Sequence, residues 1–396
     1  MLGSPQAGSR EGISFGTTNL AGGTMAAIRR REAGQWVAVV CASALLAGFG
    51  PAAWAAPAVP KFKVDAAWPQ PLPDNWILGQ VAGIATDSQD HIWILQRPNS
   101  LEEDEKGALK TPPIYRCCKP APAVLEFDRS GKLLRHWGGP GAGYEWPKNE
   151  HGIMVDGAGN VFVAGNGEPD HQILKFTGDG KFLQQFGKAG STGGSNSPTQ
   201  FGRPAHMQLD PPANELYVAD GYLNRRILVL DAATGAYKRH WGAYGHTPDD
   251  GKQAPYSPAA PPSEQFSNPV HCVRLSRDGL VYVCDRSNDR VQVFDKTGKF
   301  VKEFRIEPQT LAQGSVWDLV LSEDAAQAYL FIADGANNQI VVLDRQTGAV
   351  LSSFGQAGRM AGQFKWVHNL AIDAKGNLYT AEVGTGRRAQ RFVRQR

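Results

Sequence analysis

Three histidines of this chain have the residue type and the spacing of a metal site. His151, His271 and His368 each stand at the start of a short apolar stretch, in EHGIMVD, VHCVRLS and VHNLAID. These stretches fall in the second, fourth and sixth copies of a repeating pattern, so the histidines occupy equivalent positions. Three neutral imidazoles that leave a fourth position open are typical ligands of a catalytic zinc ion, with copper, nickel and iron as alternatives. We expect zinc here; the alternative is that each histidine is an ordinary buried structural residue.

Three further residues interrupt the repeat where its second apolar stretch ends. Arg97 follows HIWILQ, Tyr222 follows LYVADG and Arg286 follows VYVCD. Two guanidinium groups can hold a carboxylate and a phenol can move a proton, so these residues are candidates for catalysis beside a metal. The alternative is that they are solvated loop residues. We expect that of the arginines in the ordinary Asn-Arg stretch of the repeat, which are Arg225, Arg226 and Arg290.

The elements that must position these residues form a sixfold repeat. Each unit reads as four short apolar strands with polar turns, as in AHMQLD, ELYVADGYLNRRILVLD and TGAYKRHWG of the third unit. Such units are typical of β-propeller blades, each of which packs its apolar faces on its neighbours. We predict an all-β, six-bladed propeller over residues 56–396. The strand Lys61–Asp65 is expected to complete the last blade, because that unit lacks its fourth strand.

Closing six blades in a ring would place the three histidines about 120° apart at one mouth of the central channel. Units one, three and five carry Ala82, Ala205 and Trp317 at the equivalent position. His206 lies one position later and should point elsewhere, so we leave it out of the site. The second strands end at the same mouth, which would bring the two arginines and the tyrosine to the histidines.

Three long insertions are expected on this same face of the propeller. They are Asn99–Pro122, Ala189–Gln200 and Ala243–Glu264. Loops of this length in a compact fold are usually functional or disordered. They predict either a rim or lid around the mouth, or plain disorder.

Residues 1–55 have the pattern of a signal peptide with an upstream extension. Arg29–Arg31 are followed by the apolar run Trp36–Phe49 and by a small-x-small site that ends at Ala55, and Met25 is a second candidate start. The alternative is a single membrane helix, but the run is short for crossing a bilayer. We expect a periplasmic or secreted protein that has no stable membrane span after cleavage.

The net charge of the remaining chain bears on which classes of partner it can bind, and its cysteines bear on possible disulfides. Without the four arginines and two glutamates of residues 1–55, the formal net charge falls from +3 to +1. This balance argues against binding to nucleic acid or to a membrane surface.

An oxidising compartment permits disulfides between the cysteines of the chain. Cys272 would face Cys284 across a hairpin and Cys117 is adjacent to Cys118, but the sequence leaves both pairs open as disulfides or thiols.

The chain resembles two related groups of propellers. The Asp-then-Asn-x-Arg strand pattern resembles NHL repeats from about residue 60 to the C terminus. With the site residues included, the chain resembles the peptidyl-α-hydroxyglycine α-amidating lyase family. The likeness rests on the three histidine strands, on the strand that ends at Arg97, on VCDRSNDRVQVF with Arg286, and on ADGYLNRRI with Tyr222. It implies zinc at the histidines, Tyr222 as the catalytic base and both arginines as ligands of the substrate carboxylate.

The same resemblance implies a reaction and exposes three departures. The reaction is cleavage of the N–Cα bond of an α-hydroxyglycine to an amide and glyoxylate. Asn369 stands where the family has an acidic calcium ligand, which disfavours a central structural calcium, and Gly202 and Leu223 stand where it has cysteines. A copper monooxygenase domain, which makes the hydroxyglycine in fused animal enzymes, is missing too. A related α-hydroxy or carbinolamide compound is therefore an alternative substrate.

Two other functions compete with this one. The first is a non-catalytic NHL propeller that binds a peptide or a partner protein on its upper face. The second is a calcium-dependent lactonase-like hydrolase, but the inner-strand starts lack the glutamate that those enzymes use.

Overall fold

The repeat folds as its short apolar stretches predict. The computed structural model describes residues 58–395, in which short strands rich in β-branched and aromatic residues are separated by Gly- and Asp-rich turns. These strands form six four-stranded antiparallel sheets arranged as the blades of a β-propeller. The predicted fold class is therefore confirmed.

The strands of blades 1 to 3 follow the chain from the inner to the outer edge. Blade 1 comprises β3 (Gln80–Thr86), β4 (Ile92–Arg97), β6 (Val124–Phe127) and β7 (Leu133–Trp137). Blade 2 comprises β8 (Glu150–Val155), β9 (Val161–Gly165), β10 (Gln172–Phe176) and β11 (Phe182–Gly187). Blade 3 comprises β12 (His206–Asp210), β13 (Glu215–Asp220), β14 (Arg226–Asp231) and β15 (Tyr237–Trp241).

Blades 4 to 6 repeat this order. Blade 4 comprises β16 (Val270–Leu275), β17 (Leu280–Asp285), β18 (Arg290–Asp295) and β19 (Phe300–Arg305). Blade 5 comprises β20 (Asp318–Leu321), β21 (Tyr329–Asp334), β22 (Gln339–Asp344) and β23 (Val350–Phe354). Blade 6 comprises β24 (Val367–Ile372), β25 (Leu378–Glu382), β26 (Arg388–Gln395) and, as its outer strand, β1 (Lys61–Asp65).

The two ends of the ring meet at blade 6. The N-terminal strand β1 pairs antiparallel with β26, from Lys61 opposite Gln395 to Asp65 opposite Arg391. Each inner strand packs beside the next, and β24 packs beside β3. Trp68 lies across the junction, with its ring 5.9 Å from that of Phe127 and 5.1 Å from that of Tyr379. Burial of such rings stabilises the closed ring by about 2 kcal/mol each.

Shorter elements decorate this ring. The two-residue strands β2 (Trp76–Ile77) and β5 (Lys119–Pro120) pair in parallel. The 3-10 helices are Pro98–Ser100, Glu103–Leu109, Pro211–Ala213, Ala243–Gly245 and Arg286–Asn288. Among residues 58–395, no helix has the length and apolar character to cross a bilayer. The predicted signal peptide lies outside the described residues.

Two of the three arginines of the Asn-Arg stretch are buried, so the expectation that they are solvated was wrong for those two. Arg226 is 0% and Arg290 1% exposed, and their Nε atoms donate to Asp220 and Asp285 at 2.9 and 2.7 Å. Their remaining N–H groups donate mainly to backbone carbonyls of the loops that join the blades. Arg225 is half-buried. A buried guanidinium is tolerated here because a carboxylate and several carbonyls satisfy its donors.

Candidate metal centre and its surroundings

A β-bulge in the inner strand sets the direction of each histidine. The pairing of inner and second strands skips one residue at His151, at His271 and at His368, and also at Ala82 in blade 1. A bulge leaves the extra residue unpaired and turns its side chain out of the regular alternation. Because all three histidines occupy this bulged position, their rings converge, with centroids 4.7 to 5.0 Å apart.

One nitrogen of each ring is fixed by the neighbouring blade. The Nδ1–H groups donate to the backbone carbonyls of Ala205 from His151 (2.9 Å), of Trp317 from His271, and of Ala82 from His368 (2.6 Å). Gly152 permits the first of these contacts, since a Cβ there would lie 2.7 Å from the Ala205 oxygen. With Nδ1 as the donor, each ring presents the lone pair of its Nε2 to the others.

The three rings form a closely spaced set of acceptors. Their ligand nitrogens lie within 4.8 Å of one another, and the side chains are 0%, 0% and 2% exposed. Burial, reinforced by nearby histidines and arginines, lowers the pKa of His151 and His271 well below the usual value. Burial, reinforced by Arg97 and Arg286, lowers the pKa of His368 to about 3. Neutral imidazoles from three strands, with no carboxylate among them, fit zinc with a fourth position for substrate or water.

The hydroxyl group of Tyr222 contacts two of these nitrogens. Its hydroxyl oxygen lies 2.8 Å from Nε2 of His151 and 3.1 Å from Nε2 of His271. One hydroxyl hydrogen can serve only one of the two acceptors, and residues 58–395 provide no hydrogen-bond donor for Nε2 of His368. Gly221 lets the tyrosine come so close, since a Cβ there would lie 2.0 Å from the carbonyl oxygen of Val270. The trio is thus short of donors, as expected of metal ligands.

The two arginines lie beside the trio without a carboxylate partner in the described part of the chain. Arg97 donates from Nε to the Glu150 carbonyl (2.7 Å) and from Nη1 to Oε1 of Gln80 (2.8 Å). Arg286 donates from Nη2 to Oε1 of Gln313 (2.8 Å), and its buried Nε has no partner. Burial lowers the pKa of both guanidinium groups, which nevertheless stay protonated. Two positive charges with only neutral acceptors are suited to an anionic ligand.

A cavity of about 310 Å³ joins these groups. Arg97, Tyr222, Arg286 and His368 line it, and the indoles of Trp317 and Trp366 form an apolar wall. The guanidinium carbon of Arg286 lies 4.6 Å from the Trp317 ring centre, which is a cation–π distance. The structure therefore brings all six predicted site residues to one mouth of the channel.

Sequence reasoning missed the residues that hold the arginines. Gln80, Asn166 and Gln313 accept hydrogen bonds from guanidinium groups of the site. Gln313 comes from the connection between blades 4 and 5, where the repeat gives no register. Trp317 was noted only because it occupies the position equivalent to the histidines in unit five. Nothing in the sequence pattern pointed to Trp366.

The insertions contact each other and a loop beside the cavity. Glu105 of the first insertion accepts from Arg387, which follows the cavity-lining Val383 and Gly384 in the β25–β26 loop. The second and third insertions contact each other where the Ser195 N–H donates to Asp250 at 2.8 Å. These contacts agree with the expectation of a rim around the mouth.

The cysteines and His206 lie outside the candidate centre. Both cysteine pairs, Cys117–Cys118 and Cys272–Cys284, are disulfides. His206 begins β12 and lies in the lower part of the channel, where burial and then Arg274 lower its pKa to about 3. Its exclusion from the trio agrees with this position.

Comparison with known proteins gives two kinds of relatives. The chain is 26% identical over 356 residues to NHL repeat-containing protein 3 of Mus musculus, a match that covers 84% of each protein. It is 25% identical over 343 residues to peptidyl-alpha-hydroxyglycine alpha-amidating lyase 2 of Drosophila melanogaster, covering 81% of this chain and 74% of that protein. A 25% identity over 330 residues to peptidyl-glycine alpha-amidating monooxygenase B of Xenopus laevis covers 80% of this chain and 34% of that protein.

No model of a known protein family matches the chain. A comparison with solved structures supports the fold. A streptogramin B lyase structure has a TM-score of 0.51 and 15% identity, over 84% of this chain and 98% of that chain. At this identity the likeness shows the propeller fold alone.

Proposed function

We propose that this protein is an exported, zinc-dependent lyase that cleaves an α-hydroxyglycine or a related carbinolamide to an amide and glyoxylate. One observation carries the proposal. His368, Tyr222, Arg97 and Arg286 line one cavity, the other two histidines adjoin the Tyr222 hydroxyl, and neither guanidinium has a carboxylate partner in residues 58–395. The similarity to proteins named as amidating lyases supports it.

Zinc would be held by Nε2 of His151, His271 and His368, and when bound it would lower the pKa of a hydroxyl group beside it. The carbonyls of Ala205 and Trp317 keep two of the rings oriented through their Nδ1–H groups. Such second interactions fix the tautomer that leaves Nε2 free.

The chain's other residues would bind the substrate and move its proton. Arg97 and Arg286 would hold the carboxylate, because their charges have only neutral acceptors. The wall of Trp317 and Trp366 would exclude water from the acyl side. Tyr222, as its phenolate, would take the proton of the α-hydroxyl and return it to the amide nitrogen as the N–Cα bond breaks. The hydroxyl carbon then becomes the aldehyde of glyoxylate, and the overall reaction needs no added reactant.

Export is part of the proposal and agrees with the cysteine chemistry. Disulfides persist in oxidising compartments, and all four cysteines of the described residues are paired. We propose that the signal peptide within residues 1–55 directs the chain to the periplasm or the exterior.

The test combines metal analysis with a product assay. The protein purified after export should hold about one zinc per chain and release glyoxylate from an N-acyl-α-hydroxyglycine. His271→Ala should lose both, whereas His206→Ala, a buried histidine outside the trio, should keep both. Zinc without glyoxylate release would reject this substrate class, and wild-type protein without metal would reject the lyase.

A peptide- or protein-binding propeller is the second candidate. It is favoured by the similarity to NHL repeat-containing protein 3, whose name states no reaction. That function predicts that His271→Ala still binds the partner, which separates it from the lyase in the same set of variants.

A further inference from the structure

A second buried polar group lies on the axis directly below the histidines. It consists of Arg274 from β16, Asp318 from β20 and Asn369 from β24. Asn369 follows His368 in sequence, Asp318 follows Trp317, and Arg274 is three residues after His271. The group therefore links β16 and β24, which carry His271 and His368, to β20. Trp317, whose carbonyl orients His271, directly precedes β20.

The carboxylate of Asp318 is the centre of this group. Its Oδ2 accepts from Nη2 of Arg274 at 2.8 Å, from Nδ2 of Asn369 at 3.0 Å and from the Leu370 N–H at 2.9 Å. Its Oδ1 accepts from the Leu319 N–H at 2.8 Å. Nη2 of Arg274 also donates to the Leu370 carbonyl at 3.0 Å. Four donors thus satisfy one fully buried carboxylate.

This arrangement does not fit calcium, which the family resemblance places near Asn369. Calcium binds six to eight oxygen ligands, several of them usually carboxylates. Asp318 contributes the one carboxylate of the group, and N–H donors already occupy both of its oxygens. Asn369 presents its amide NH₂ group to Asp318, and a guanidinium carries the positive charge at this point.

We propose that the Arg274 guanidinium takes the place of a structural calcium in this protein, and that Arg274 and Asp318 position the metal-binding strands independently of calcium. The inference uses the metal centre of the proposed function but concerns what supports it. Arg274 and Asp318 are positioning residues, since neither touches the cavity that the arginines and Tyr222 line.

The first experiment uses the wild-type protein. After dialysis against EGTA, it should contain no stoichiometric calcium, and calcium added to about 1 mM should leave its melting temperature unchanged because no site binds it. A bound calcium in the purified protein, or a clear rise in melting temperature on adding calcium, would overturn the inference. Protein that holds neither zinc nor calcium would refute the proposed function and leave this inference standing.

The second experiment exchanges the internal cation. Arg274→Met leaves Asp318 buried without its partner and should lower the melting temperature by about 10 °C and the zinc affinity by about tenfold. Arg274→Lys keeps the charge and should lose much less, so it serves as the variant that folds if Arg274→Met does not. Equal zinc affinity and stability in all three proteins would refute the positioning role.

The third experiment converts the site. Arg274→Met combined with Asn369→Asp replaces a cation by a second carboxylate, so calcium should raise the melting temperature of this double variant and not that of the wild type. A double variant that does not respond to calcium would refute the exchange of guanidinium for a metal ion.

Discussion

The charge of the side chain at position 313 should control the affinity of the candidate site for a carboxylate. Its Oε1 accepts a hydrogen bond of 2.8 Å from Arg286, whose guanidinium has no carboxylate partner in residues 58–395. Gln313→Glu keeps the shape of the side chain and adds a negative charge at this contact. The variant carboxylate would then compete with the substrate for Arg286.

The size of the effect follows from the distance. Two unit charges about 4 Å apart interact by about 4 kcal/mol at the effective dielectric constant of a partly buried site. Solvent and rearrangement reduce that, so a loss of about 2 kcal/mol, or about thirtyfold in affinity, is expected. The binding of an unreactive N-acylglycine, measured by calorimetry, reports this loss without requiring turnover.

The matched control separates charge from shape. Gln313→Met removes the acceptor without adding a charge and should weaken binding by less than about 1 kcal/mol. A neutral N-acylglycinamide should bind Gln313→Glu no worse than wild type. If Gln313→Glu binds the N-acylglycine as tightly as wild type, or if Gln313→Met loses as much, the electrostatic argument is refuted.

Three further substitutions test other parts of the structure. Tyr222→Phe should lower kcat in the glyoxylate assay by about 10²- to 10⁴-fold with unchanged zinc content, and unchanged turnover would exclude proton transfer by this residue. Arg226→Met should cost about 3 to 5 kcal/mol in urea unfolding, because it leaves Asp220 buried without its partner, whereas a loss below about 1 kcal/mol would show the pair to be replaceable. Burial raises the pKa of Asp289 to about 7, so ionisation of this carboxyl removes stability as pH rises from about 4 to about 7. Asp289→Asn should therefore raise the melting temperature more at pH 8 than at pH 5, and parallel curves would contradict that pKa.

The fold could be predicted because every repeat carries the same local information. In ELYVAD and RILVLD, a continuous run of four apolar residues is bounded by polar residues, and runs of this length recur at the same places in the other units. The six site residues could be found for a related reason, since each stands at a set place in its unit. Once the ring is closed, the position of a residue within its repeat determines where that residue lies in the propeller.

What the sequence did not reveal depends on contacts between units. Arg226 was expected in solvent because it lies in the ordinary Asn-Arg stretch of the repeat. The carbonyls of Ser195 and Gln200, which bury it, belong to an insertion with no repeat pattern. Gln313 lies in such a connection too. These contacts appear only when neighbouring blades have been placed.

The placement of the histidines on alternate blades has a physical reason in the backbone. Each Nδ1–H donates to the carbonyl of the equivalent residue on the next blade, and those residues are Ala82, Ala205 and Trp317. The equivalent residue on the blade that follows each histidine must therefore supply a carbonyl oxygen, and its side chain must leave the channel axis free. Ala82 and Ala205 do so because they are small, while Trp317 bonds its indole N–H to the Gly314 carbonyl at 2.7 Å. Blades 1, 3 and 5 thus support the candidate metal centre through main-chain carbonyls. Comparison of side chains alone therefore identifies the three histidine positions and not the three positions that orient them.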